Sequence, residues 1–151
     1  MMIWMLLWLI QPSAITDQFN NPYEIHTLNG HWVVVDFAAS WCGPCHKALP
    51  QLQRLADSNT AVKVIVVCVD NTKKGYSGLI ERHKLSMPVL WDQQQSWVAH
   101  FNPPGMPTTL VLDPNGKVVY QHTGYSPEDW SKLLQFLNHT VSVGSSSTAS
   151  E

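Results

Sequence analysis

Two cysteines stand three positions apart in Ser40-Trp41-Cys42-Gly43-Pro44-Cys45-His46-Lys47. Sulfur at this spacing can supply half of a zinc site, staple the chain, or trade electrons as a dithiol. The reactive species is the thiolate, and a cysteine at a helix N-terminus has its anion stabilised by unpaired backbone N–H groups and the positive end of the helix dipole. Cys42 holds that position if a helix follows. Cys45, one turn later and more buried, is then placed to attack a mixed disulfide at Cys42 and release a substrate as a dithiol. Gly43 and Pro44 allow the tight turn and start the helix.

The two alternatives need what the chain lacks. Structural zinc takes four ligands, and beyond this pair there is no second C-x-x-C and no H-x-x-x-H, only Cys68 and scattered histidines. A staple closing so short a loop would constrain the unfolded chain little. No metal site is therefore expected. Cys68 lies in the apolar run Val62-Lys-Val-Ile-Val-Val-Cys-Val-Asp70 and reads as a small buried hydrophobe. His46 reads as a solvated first-turn residue; turned toward the dithiol, it would lower a thiol pKa.

The elements around the pair follow from hydrophobic period. Trp32–Ala38 and Val62–Val69 are near-continuous apolar runs, as in buried strands. Between them, Ala48, Leu49, Leu52, Leu55 and Ala56 fall at helical spacing from Pro44 to Asp57, with Pro50 expected to kink the helix. Tyr23–Leu28 reads as a short edge strand, closed by the turn signal Asn29-Gly30. A helix is expected over Gly75–Lys84 and a weaker one over Gln94–Phe101, ended by Pro103-Pro104-Gly105. Pro88–Trp91 is too short to assign. Thr108–Asp113 and Lys117–His122 flank Pro114-Asn115-Gly116 as a hairpin. The last helix has Ser126 as N-cap, Pro127 at its first position, and Trp130, Leu133, Leu134 and Leu137 as its apolar stripe. This order implies an α/β fold, a mixed central sheet with helices on both faces.

With 151 residues, a single domain is expected. A net charge of −2 gives no basic stripe, so nucleic acid is not an expected partner. Met1–Thr16 has no charged side chain and ten apolar residues at its start, shorter than the roughly 20 of a spanning helix. It reads as a signal peptide or membrane anchor (residues 1–16) ahead of a domain over 17–140, although basic residues before it are missing. The expected location is outside the cytoplasm, periplasmic or anchored facing the periplasm. Residues 141–151, ending Gly144-Ser-Ser-Ser-Thr-Ala-Ser-Glu151, read as a disordered polar tail.

Val35-Asp-Phe-Ala-Ala-Ser-Trp-Cys-Gly-Pro-Cys45, with a strand before and a helix after, resembles thioredoxin, whose active-site motif is identical to Trp41–Cys45. The resemblance covers roughly Tyr23–His139. Leu28-Asn-Gly30, Leu49-Pro50, Met87-Pro-Val-Leu-Trp-Asp92 and Gly105-Met-Pro-Thr-Thr-Leu-Val-Leu-Asp113 look like the exported TlpA/ResA-type thiol-disulfide oxidoreductases. Their insertion relative to thioredoxin would here be about Gly75–Phe101. The resemblance implies a thioredoxin fold and no cofactor beyond a redox-active Cys42–Cys45 disulfide. Pro107 matches the family's cis-proline facing the dithiol, and Met106 before it would pair with an extended substrate segment. Asp36 matches the buried carboxylate beneath the second cysteine, a proton acceptor for Cys45. Trp41, Gly43 and Pro44 would contact the substrate.

Two positions depart from the pattern. The acidic residue often found three positions after the second cysteine in the TlpA/ResA group is here Ala48, and thioredoxin's buried lysine partner is replaced by about Val66. The expected activity is reduction of disulfide-bearing proteins by Cys42 attack and Cys45 resolution, by a monomer fed from a membrane dithiol donor. The Gly-Pro between the cysteines favours a potential nearer about −270 mV than the roughly −120 mV of a strong oxidant. An isomerase or oxidant, or a redox-inactive binding module on the same fold, are the alternatives. The Pro-x-x-x-Thr/Ser-x-x-Cys of peroxiredoxins and the C-x-x-x-C of copper-delivery proteins are absent.

Overall fold

The computed structural model describes residues 14–145. The segment up to Ser13, within the stretch read as a signal or anchor, and the end of the stretch read as a polar tail lie outside them. Seven strands and four α-helices follow the chain as β1 (Ile15–Thr16), β2 (Pro22–Tyr23), β3 (Trp32–Ala38), α1 (Cys45–Ser58), β4 (Val62–Cys68), α2 (Lys73–His83), β5 (Val89–Trp91), α3 (Ser96–Phe101), β6 (Thr108–Leu112), β7 (Val118–Thr123) and α4 (Pro127–Ser145). Five strands form the central sheet in the order β5-β4-β3-β6-β7. β3, β4 and β5 run parallel, and β6 and β7 pair antiparallel beyond β3, so the sheet is mixed as expected.

β3 is central, and its Val-rich sequence is wholly buried beyond Trp32. Alternate residues face opposite layers. Val34 and Ala38 pack with Ala48, Leu49 and Leu52 of α1, Leu79 of α2, and Leu133 and Leu137 of α4. Val33, Val35 and Phe37 pack on the other face against Leu28 and against Trp97, Val98 and Phe101, the last three around α3. Helices thus cover both faces, three on one and α3 on the other. α1 continues through Pro50 as one 14-residue helix, because only one intrahelical N–H is lost while its apolar face stays buried.

Three segments differ from the sequence expectation. Tyr23–Leu28 is not one edge strand: only Tyr23 pairs, in β2, and Ile25–Leu28 form a 3₁₀ turn. Here Thr27 donates from both its N–H and its hydroxyl to the Glu24 carbonyl, at 3.0 and 2.7 Å, and this local closure replaces strand pairing. Ile15–Thr16, at the end of the stretch read as a signal or anchor, pair with Pro22–Tyr23 as a small antiparallel ribbon. α4 extends to Ser145, into the segment read as a tail. Pro88–Trp91, too short to assign by pattern, supplies the parallel edge strand β5.

Turn and cap chemistry hold as read. Gly30 takes φ +90°, a conformation that suits glycine, and its N–H donates to the Pro114 carbonyl at 2.7 Å. Ser126 Oγ accepts the Asp129 N–H at 3.1 Å, which caps α4.

Candidate active site

Cys42 and Cys45 are joined in a disulfide, with Cα atoms 5.3 Å apart. β3 delivers the chain to Ala38, the loop Ala39–Pro44 turns it, and Cys45 opens α1. Cys45 is fully buried and Cys42 is 5% exposed, so the two sulfurs differ in access. The Cys45 N–H points at Cys42 Sγ, 3.3 Å away, as a donor at the start of a helix that would favour negative charge on that sulfur.

Cys42 lies at the edge of an open groove of about 500 Å³, lined among others by Phe37, Trp41, Pro44, Pro104 and Met106. Trp41 is 69% exposed, an aromatic face beside the dithiol. The Met106–Pro107 peptide is cis, as the resemblance implied. Pro107 is buried, and its carbonyl accepts the Gly124 N–H at 2.7 Å, which fixes this loop to the end of β7. Gly43 and Pro44 are exposed on the turn between the cysteines.

Asp36 sits on the same face of β3 as Val34 and Ala38, the face that α1 covers, and is fully buried. Thr109, its register partner on β6, donates from Oγ1 to Asp36 Oδ1 at 2.7 Å. Oδ2 has no hydrogen-bond partner among the described residues. Burial pushes the carboxyl up to about 7, and the Thr109 hydroxyl pulls weakly the other way. A carboxyl poised there can change protonation at neutral pH, as a proton acceptor needs to do. Val66 is the register neighbour on β4, so no lysine faces it from that strand.

Several polar residues that pattern reading missed hold the dithiol loop. Asp70, just beyond β4, is buried and accepts the Ser40 N–H at 2.8 Å and the Ser40 hydroxyl. Cys68 also donates to Asp70, at 3.0 Å, and burial pushes its thiol well above the usual range, so it is a buried hydrophobe with a hydrogen-bond partner. The Trp91 indole N–H donates to the Asp70 carbonyl at 2.8 Å. His46 is half-buried rather than solvated: its Nε2 is 2.7 Å from the Ser40 carbonyl and its Nδ1 is 2.7 Å from His83 Nε2. The one signal for Asp70 in the sequence is an acidic residue closing an apolar strand. His83 carries none, since only the fold brings α2 to α1. Trp97 is in the core, while Trp91 is half-buried and stacks on Tyr76. Among the described residues no cluster of three or more His, Cys, Asp or Glu could hold a metal ion.

A buried cysteine behind a reachable one, at a helix start and beside a cis-proline loop, defines the thioredoxin-like class of dithiol proteins. The redoxin family model matches residues 11–137, and the chain belongs to that family. It is 29% identical over 113 residues to the thiol-disulfide oxidoreductase ResA of Bacillus thuringiensis (strain Al Hakam), covering 74% of this chain and 65% of that protein. The chain thus spans a little under two thirds of that relative's length. It is 28% identical over 125 residues to ResA of Geobacillus kaustophilus (strain HTA426), covering 81% of this chain and 72% of that protein. Among solved structures, a candidate thiol:disulfide interchange protein DsbE from Chlorobium tepidum superposes with a TM-score of 0.79 at 26% identity, covering 85% of this chain and 92% of that one. The expected thioredoxin-like fold is the one observed.

Proposed function

We propose that this protein is a thiol-disulfide oxidoreductase that reduces protein disulfides outside the cytoplasm. The observation that carries the reading is the asymmetry of the Cys42–Cys45 disulfide, one sulfur at the edge of an apolar groove and the other sealed behind it. The ResA relatives are named thiol-disulfide oxidoreductases, which supports the class of reaction.

In the reduced protein, Cys42 thiolate attacks one sulfur of a substrate disulfide. The substrate S–S bond breaks, its second sulfur leaves as a thiolate, and a mixed disulfide forms at Cys42. Asp36 as carboxylate takes the proton of Cys45. Cys45 then attacks Cys42 Sγ, the mixed disulfide breaks, and the substrate departs as a dithiol while the Cys42–Cys45 disulfide reforms. Trp41, Gly43 and Pro44 border the incoming chain, and an extended substrate segment pairs with the Met106 backbone beside Pro107. No cofactor is required beyond the disulfide. Two electrons must return from a dithiol donor, for which a membrane-held protein suits an exported chain acting as a monomer.

The apolar Met1–Thr16 segment supports export as a signal or anchor. Among the described residues no helix is long and apolar enough to cross a membrane. The deciding experiment is the reduction potential of the pair, by equilibration against glutathione and dithiothreitol buffers. A value near about −270 mV is expected; one tens of millivolts higher, toward the isomerase and oxidant range, would overturn the direction of the reaction.

A further inference from the structure

His46 and His83 take no part in the sulfur chemistry above, yet they are tied to the loop that carries it. His46 follows Cys45 in α1, and its Nε2 lies 2.7 Å from the carbonyl of Ser40, two residues before Cys42. A carbonyl only accepts, so His46 Nε2 bears a hydrogen. Its Nδ1 lies 2.7 Å from Nε2 of His83, at the end of α2, with the ring centres 5.0 Å apart. A nitrogen–nitrogen contact of that length holds one hydrogen. With both rings neutral, His83 donates to the bare Nδ1 of His46. With one proton added, the contact still holds one hydrogen, donated by His46 to His83 or by His83 to His46. A second proton would set two N–H groups against each other, so the contact admits none or one.

The charged groups nearby come from three elements. Arg82 adjoins His83 on α2, Lys47 adjoins His46 on α1, and Asp70 beyond β4 holds Ser40 from its N–H and hydroxyl. Burial, then His46 and Arg82, hold His83 below the ordinary imidazole range. These disfavour the added proton on His83, whose partner in the contact is the ring bound to the dithiol loop.

We propose that the His46–His83 pair takes up a proton when the Cys42–Cys45 disulfide is reduced and returns it on reoxidation, acting as a positioning pair for the Cys42 thiolate. A donor dithiol brings two electrons and two protons. Its sulfurs join as a disulfide and the Cys42–Cys45 bond breaks. One proton stays on Cys45 as a thiol, and the other goes to the imidazole pair instead of to solvent, leaving Cys42 as thiolate. A cation hydrogen-bonded to the Ser40 carbonyl favours that anion, and the anion in turn favours the cation. This rests on the cysteine pair turning over as a two-electron couple.

The test is the dependence of the reduction potential on pH in the full-length chain over about pH 5 to 8, which counts protons taken up per electron pair. His46→Gln keeps a donor toward the Ser40 carbonyl but cannot carry the proton. The native protein is expected to take up more protons than His46→Gln, by up to one per electron pair; equal counts would overturn the proposal. Should His46→Gln fail to fold, the imidazole titrations of the native protein decide by NMR. Their midpoint is expected at higher pH in the reduced than in the oxidised state, and coincident midpoints would overturn it. A native protein with no reversible two-electron couple would instead overturn the redox reading and this inference with it, an outcome distinct from a sound couple with an unchanged proton count.

Discussion

Thr109 donates to Asp36 Oδ1 at 2.7 Å across the β3–β6 pairing, and among the described residues Asp36 Oδ2 has no hydrogen-bond partner. One hydroxyl cannot compensate for the loss of water around a fully buried carboxylate, which is why burial wins and raises the group to about 7.

That imbalance sets the pH dependence of stability. A carboxyl raised in the folded state contributes stability below its unfolded value, and the contribution is lost as pH rises from the ordinary 3.8 of an aspartate through about 7. At about 1.4 kcal/mol per unit, the loss is on the order of 4 kcal/mol. Asp36→Asn keeps an acceptor for Thr109 and carries no charge. It should raise the melting temperature at pH 8 and leave it nearly unchanged at pH 4, measured by calorimetry of the oxidised protein. Equal effects at both pH values would show that the Asp36 carboxyl is not raised.

The same carboxyl predicts a rate profile. If Asp36 takes the Cys45 proton, release of substrate from the mixed disulfide accelerates as pH rises through about 7. Asp36→Asn should flatten that limb and slow release by roughly 10²-fold, at the low end of general-base effects. Thr109→Val removes the one contact that lowers the group, so the limb should move to higher pH. Stopped-flow single turnovers across pH read both, and a limb unmoved in Asp36→Asn would assign the proton to another acceptor.

Access predicts thiol selectivity. In the reduced protein Cys42 should be alkylated by iodoacetamide much faster than Cys45 or Cys68. Cys45 is sealed at 0% exposure, and the thiol of Cys68, also at 0%, is held neutral by burial and by donating to Asp70. Peptide mapping after a brief pulse checks this. Modification of Cys68 at a rate comparable to Cys42 would mean that the loop beyond β4 opens readily.

What the sequence discloses follows the range of the forces involved. The dithiol, β3, β4, α1 and the capped α4 are legible because spacing, period and caps are local. The cis-proline and Asp36 came through resemblance. Thr109, Asp70 and His83 escaped because their roles depend on register or on helix docking: Thr109 matters only as the β6 residue opposite Asp36, and His83 only because α2 packs against α1. The Tyr23–Leu28 segment misled because its β-like composition yields to the Glu24–Thr27 hydrogen bonds.

Asp70 also explains a position where a usual rule inverts. Gly75 lies in the first turns of α2, with its N–H donated to the Thr72 hydroxyl at 3.1 Å. In an open helix Gly→Ala gains roughly 1 kcal/mol, from backbone entropy and helix propensity. Here a Cβ would collide with the Asp70 carboxylate, the group that holds Ser40 and receives the Cys68 thiol. Asp70 is buried and bound on several sides, so it cannot swing clear without releasing the loop before Trp41 and Cys42. Gly75→Ala should therefore destabilise the protein by about 1–3 kcal/mol, as overpacking does, and speed Cys68 alkylation as its partner moves. Gly78, three residues on with open space around its Cβ position, is the matched control, and Gly78→Ala should be neutral or stabilising when both variants are unfolded in urea. If Gly75→Ala proves as benign as Gly78→Ala, the Asp70 clasp on the dithiol loop is looser than its hydrogen bonds imply.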